Sequence, residues 1–201
     1  NAYLHGDQYD SVMNYAFTKA CIDFFVREQT NARGFSEKLN GLLMRNTDTV
    51  NFMMLNLLDS HDTHRFITQA QGDIGKLGSA LAVLYMFAGA PCIYYGTEIA
   101  AEGGYDPDCR RTMDWEKAER GGKIREIIRS LARLRETSGA FYSQDIRIYS
   151  EGERFVLERG EGKGALRLSV NGGEKALPLC TSVCTNAAGA LKKFEFMIEI
   201  L

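Results

Sequence analysis

The sequence predicts an α/β architecture with three parallel strands, followed by a small antiparallel β unit. Three observations carry that reading. Up to about residue 140, short apolar runs alternate with stretches whose apolar residues recur at helical spacing. One run, FMMLNLL (52–58), is apolar on both faces, the pattern of a central parallel strand. From about residue 143 the apolar period falls from 3.6 to 2, as in strands that lay one face on a core.

SVMNY (11–15) is a short strand candidate leading into a helix with Phe17, Cys21, Phe24 and Phe25 on one side. A second helical stripe holds Phe35, Leu39, Leu42 and Leu43. After FMMLNLL, a helix opens near Asp73 with Ile74, Leu77, Leu81, Leu84 and Tyr85 on one side, and Gly89 and Pro91 stop it. CIYY (92–95) is the next strand, and a long polar loop runs from it to Trp115. The helix at 122–136 turns Ile124, Ile127, Ile128, Leu131 and Leu134 inward and Arg125, Arg129 and Arg133 outward, where they read as a solvated face. DIRIY, RFVLER, ALRLSV and FEFMIEIL then alternate apolar with polar between Gly-rich turns, although the stretch from Pro178 to Lys193 is poorly patterned. The division falls at 1–143 and 144–201. Three parallel strands are too few for a covered open sheet and far too few for a closed barrel, so the chain reads as part of something larger.

The charge balance, 24 basic against 26 acidic side chains, provides neither the footprint of nucleic-acid binding nor a polybasic membrane patch. No apolar run reaches the roughly 18 residues of a membrane helix. The opening NAYLHGDQYD has neither the basic region nor the apolar stretch of a leader. Five cysteines (Cys21, Cys92, Cys109, Cys180 and Cys184) form no regular framework, which points to free thiols in a reducing compartment and favours the cytoplasm. Cys180 and Cys184 lie four apart, but no second pair or suitably placed His completes a metal site. No metal or cofactor is expected.

The residues that carry chemistry cluster after the predicted strands. Asp59, His61, Asp62, His64 and Arg65 follow FMMLNLL, and Glu98, Glu102, Asp106, Asp108, Arg110 and Arg111 follow CIYY. In α/β folds, ligands meet the loops at the carboxyl ends of strands. Carboxylates, His and Arg on one rim suit a polyhydroxylated ligand, because together they donate to and accept from hydroxyl groups. Spacing leaves two other readings open: a metal held by His61, His64 and Asp62, and an Asp62–Arg65 pair that caps the following segment.

NLLDSHDTHRF, followed about thirty residues later by GAPCIYYGTEIAAEGGYDPDCRRTMDW, closely resembles the α-amylase family of glycoside hydrolases, in particular its neopullulanase, cyclomaltodextrinase and maltogenic amylase group. GDQYDSVMNYAF (6–17) resembles that group's sixth-strand segment. The resemblance covers residues 1 to about 137. It implies strands 6–8 of a (β/α)8 barrel, then the family's C-terminal β domain, here short enough to be incomplete. It further implies that Asp62 is the third catalytic carboxylate and His61 its hydroxyl-binding partner, with Asp106 and Arg110 binding sugars on the non-reducing side. Asn14 and Tyr15, at a strand end, either line the site or only pack. Thr97 stands where many members have Asp, which puts the local hydrogen bonding there in question.

By the same resemblance, the nucleophile Asp and acid/base Glu belong to strands four and five, and neither motif occurs here. Hydrolysis of a glycosidic bond needs a carboxylate pair flanking it. The expectation is therefore the C-terminal piece of a retaining hydrolase of α-1,4-glucosidic bonds, inactive alone, that pairs with the rest of the barrel or with itself. A second expectation is a non-catalytic carbohydrate-binding or protein-interaction module derived from the same fold.

Overall fold

A computed structural model of the chain describes residues 3, 4 and 8–201. Residues 1, 2 and 5–7, which take in part of NAYLHGDQYD and the start of GDQYDSVMNYAF, lie outside the described residues.

Asn14 Oδ1 accepts from Phe17 N (3.2 Å) and so starts α1 (Tyr15–Cys21), which runs on into a π turn at Ile22–Val26. Asn31 caps α2 (Ala32–Leu43) in the same way, accepting from Gly34 N at 2.9 Å. A short α3 (Asp48–Met53) leads into strand β1 (Leu55–Leu57). One turn, α4 (Phe66–Gln69), precedes α5 (Ile74–Met86), whose cap Asp73 accepts from Lys76 N at 3.0 Å. Strand β2 (Ala90–Cys92) follows, then α6 (Trp115–Arg120) and α7 (Lys123–Thr137).

β1 pairs in parallel with β2 on one side and with a single bridge at Met13 on the other, so three consecutive segments of chain lie side by side. Gly89 makes the approach to β2 possible: its φ is +109°, and a Cβ there would stand 2.5 Å from Met54 O.

The parallel strands are shorter than the apolar runs predict. FMMLNLL yields a strand only at Leu55–Leu57, because Phe52 and Met53 finish α3. A short apolar run is equally compatible with a helix end and with a buried strand. SVMNY contributes one bridge, since Asn14 already turns the chain into α1. The strand assigned to CIYY lies two residues earlier, at Ala90–Cys92. Pro91 sits inside it, tolerated because β2 has a strand partner on one side only among the described residues.

The later unit is a five-stranded antiparallel sheet in the order β3 (Ile146–Glu151), β4 (Arg154–Arg159), β5 (Leu166–Asn171), β9 (Phe196–Ile200), β7 (Cys184–Thr185). β6 (Leu177–Pro178) and β8 (Ala190–Leu191) form a separate two-stranded piece inside the stretch whose pattern is weak. Register places Ile148, Leu157, Leu168 and Ile198 in one row across the sheet, all buried. On the polar face, Glu158 accepts from Arg167 (2.8 Å) and Tyr149 (3.0 Å).

One apolar core joins the two halves. Phe24 stacks on Phe35 with centroids 4.5 Å apart, Phe35 meets Phe155 at 4.8 Å, and Phe24 meets Phe194 edge-on at 5.5 Å. α5 runs through the middle. Every residue from Leu77 to Met86 is buried, rather than the single stripe its periodicity suggests, because the sheet, α7 and the parallel strands enclose it. The arginine face of α7 is outward at Arg129 and Arg133, while Arg125 donates to Ala118 O.

Candidate active-site rim

The segment after β1 and the segment after β2 leave from the carboxyl ends of neighbouring parallel strands, so they share one rim. Two buried groups lock them together. The Arg65 guanidinium, 1% exposed, donates from Nε to Cys109 O (2.9 Å) and from a terminal nitrogen to Tyr95 O (2.6 Å). It also lies 4.0 Å from the centre of the Tyr94 ring. Arg65 therefore does not pair with Asp62; it ties three stretches of loop into one body.

Asp59 is the second lock. Its carboxylate accepts from Phe66 N (2.9 Å) and from Thr97 Oγ1 (3.1 Å). Thr97 thus supplies a donor to a buried carboxylate, where an acidic residue would set two carboxyl groups against each other. Burial pushes the Asp59 carboxyl above its ordinary 3.8, and its two hydrogen bonds and the Arg65 charge offset only part of that. A carboxyl raised by folding contributes stability below its unfolded value, and that contribution is lost as pH rises through the folded value. Asp59→Asn cannot ionise, so this variant should flatten the stability–pH curve from about pH 4 upward. Urea denaturation of both proteins across that range checks it, and identical slopes would contradict the assignment.

On this frame the four residues singled out in the sequence come together. His61 Nε2 lies 3.2 Å from Asp62 Oδ2. Arg110 reaches Asp62 Oδ1 at 3.6 Å and Asp106 Oδ1 at 3.0 Å. Its Nε also donates to His61 O at 3.0 Å, and Cys109 Sγ approaches the same carbonyl at 3.1 Å. Asp62 N donates to Ser60 Oγ (3.1 Å), which in turn lies 3.3 Å from the Tyr15 hydroxyl. The side chains of His61, Asp62, Asp106 and Arg110 are each about half exposed, between 46% and 58%. Two carboxylates, an imidazole and a guanidinium in one line can donate to and accept from vicinal hydroxyls.

Asn14 packs: it is buried, caps α1, and donates to Asn56 Oδ1 at 2.8 Å. Tyr15 is 38% exposed and reaches the Asp62 loop through Ser60. His64 packs against Tyr105, whereas His61 lies by Asp62 and Tyr94, so the two histidines have different neighbours. Among the described residues, no three His, Cys, Asp or Glu side chains gather as a metal-binding group. Arg65, Asp59 and Ser60 were not identifiable as the framework of the rim by residue type; an arginine in a polar run carries no mark of burial.

Residues 1–140 match the family model described as "Alpha amylase, catalytic domain". The chain belongs to the α-amylase family. A cyclomaltodextrinase of Thermoanaerobacter pseudethanolicus is 42% identical over 163 residues, which make up 81% of this chain and 28% of that protein. Neopullulanase 2 of Thermoactinomyces vulgaris is 39% identical over 147 residues, 73% of this chain and 25% of that one. The α-amylase-family chain described here thus spans between a quarter and a third of these relatives. Among solved structures it is similar to the cyclic α-maltosyl-(1→6)-maltose hydrolase of Arthrobacter globiformis, with a TM-score of 0.86, 26% identity, and coverage of 99% of this chain and 47% of that one. Structural neighbours of this α-amylase-family chain are (β/α)8-barrel enzymes, and it carries a small antiparallel sheet beside its α/β portion. No helix among the described residues is long and apolar enough to cross a membrane, and the five cysteines are all free.

Proposed function

We propose that this chain forms one wall of the active site of a retaining α-glucan hydrolase acting on maltooligosaccharides, cyclodextrins, pullulan or starch. The observation that carries the reading is the His61–Asp62–Arg110–Asp106 line on the carboxyl-end rim. In it, Asp62 is the carboxylate that grips the ring hydroxyls of the sugar whose bond is cut. A carboxylate so placed helps the ring distort towards the oxocarbenium-like state. It also keeps a neighbouring acid protonated by like-charge repulsion. His61 donates to the same hydroxyls, a bond that strengthens as the ring flattens. Asp106 and Arg110 hold the adjoining sugar. The names of the relatives, cyclomaltodextrinase and neopullulanase, support the substrate class.

In this reading residues 1–143 supply strands 6–8 of the barrel and residues 144–201 a C-terminal β domain. The change from α7 to the antiparallel sheet between Thr137 and Ile146 supports that division. The nucleophile and the acid/base carboxyl belong to strands that these residues do not include, so the 201-residue chain alone does not turn over substrate. It pairs with those strands or with a second copy through the open edge beyond Met13 (36% exposed) and the uncovered apolar surface at Met53 (51%) and Leu55 (40%). The test assays maltooligosaccharide and cyclodextrin hydrolysis by the chain and by a polypeptide extended with the preceding strands, with light scattering of each. The extended protein should be active and the short one inactive and associated. Turnover by a monomeric short chain would overturn the reading.

A further inference from the structure

Tyr105 immediately precedes Asp106 of the proposed sugar-binding line and is 77% exposed. Its backbone turn is pinned: Asp108 N donates to Tyr105 O (2.7 Å), and Gly104 N donates to Asp108 Oδ2 (2.6 Å). Asp108 is itself held by two bonds from Arg111, at 2.7 and 2.9 Å. His64 meets the ring at 70° with centroids 3.6 Å apart, and its Nε2 is shut away from solvent without a hydrogen-bond partner. The ring is therefore held against His64 and otherwise largely exposed. The residue immediately after it, Asp106, is bonded to Arg110, which reaches Asp62.

A pyranose ring has an apolar C–H face and a polar rim of hydroxyls. It is recognised by an aromatic face with carboxylate and guanidinium groups at its edge; here Tyr105 directly precedes Asp106, whose carboxylate is paired with Arg110. A platform fixed before binding also loses little freedom when the sugar arrives. Resting on the α-glucan reading above, we infer that Tyr105 is a stacking platform for a glucosyl ring adjoining the one gripped by Asp62. His64 is the residue that positions it.

Isothermal titration of the 201-residue chain with maltohexaose tests this. Tyr105→Ala should weaken binding about tenfold, as expected for loss of one covered ring face. Tyr105→Trp should bind at least as well as the parent, since it restores an aromatic face. Tyr142, 81% exposed on the turn before the antiparallel sheet, serves as the control, and Tyr142→Ala should leave affinity unchanged. An affinity for Tyr105→Ala within twofold of the parent overturns the platform, and if Asp62→Ala weakens binding in the same series, the hydrolase-wall reading stands. Binding insensitive to both substitutions, or no uptake of maltohexaose by the parent chain, overturns both. Loss confined to Tyr105→Ala keeps the platform and removes Asp62 from sugar binding.

Discussion

Asp62→Asn, introduced into a polypeptide that also carries the preceding barrel strands, should lower kcat on maltooligosaccharides by about a thousandfold. Such a loss corresponds to about 4 kcal/mol of transition-state stabilisation. The substitution keeps the shape of the side chain and removes its charge, so on the proposed role it weakens the grip on the ring hydroxyls and removes the repulsion proposed to keep the acid protonated. The fold should be indifferent. Asp62 is 58% exposed, and its contacts with His61 and Arg110 are surface pairs of the kind worth at most about 1 kcal/mol. The informative outcome is therefore a large kinetic loss at unchanged denaturation midpoint. A variant with more than a tenth of the parent's kcat would remove Asp62 from the chemistry.

Arg65→Met should act the other way, on stability first. The methionine fills much of the same volume but leaves Tyr95 O and Cys109 O without their charged donor inside a closed environment. Hydrogen bonds to charged groups contribute about 1.5–3 kcal/mol each, offset in part because a buried guanidinium no longer has to be desolvated. A net loss of about 3 kcal/mol is expected, a fall in Tm of roughly 6–12 °C for a chain of this size. Arg65→Lys should recover little, since one ammonium cannot span two carbonyls as a planar fork does. Urea and thermal denaturation of the three proteins measure this. A methionine variant within 1 kcal/mol of the parent would mean that the loops hold together without the guanidinium.

The contrast between these residues shows what the sequence made legible. Helical spacing located α2, α5 and α7, and the period of 2 located the four long strands of the antiparallel sheet, because their apolar residues recur at the period of the element. It failed where an element is buried on all sides or is very short. Nothing in the spacing of Leu77, Leu81 and Leu84 told that Ala80, Ala82 and Val83 are equally enclosed. A strand of three residues, such as Ala90–Cys92, is too brief to show a period, and Pro91 reads as the stop of the preceding helix. At the rim, resemblance singled out His61 with Asp62 and Asp106 with Arg110, two pairs more than forty positions apart that only the fold can bring together. The buried frame under them was not legible. Arg65 and Asp59 belong to the same polar run as the exposed pair, and only tertiary contact separates the residues that hold from those that face outward.

The aromatic core shared by the two halves has a consequence for how the protein is made. Phe24 and Phe25 are covered by Phe155 and Phe194, which lie far downstream in the sequence. The bond between Glu28 and Lys193 closes a separation of 165 residues. At about 5–20 residues per second, a ribosome needs on the order of ten to thirty seconds between emitting the two sides. During that interval the outer faces of α1 and α2 are synthesised but uncovered. The segment around Phe194 therefore completes the protection of Phe24 and Phe25, and synthesis that stalls before it leaves that apolar surface open to chaperones and to other nascent chains.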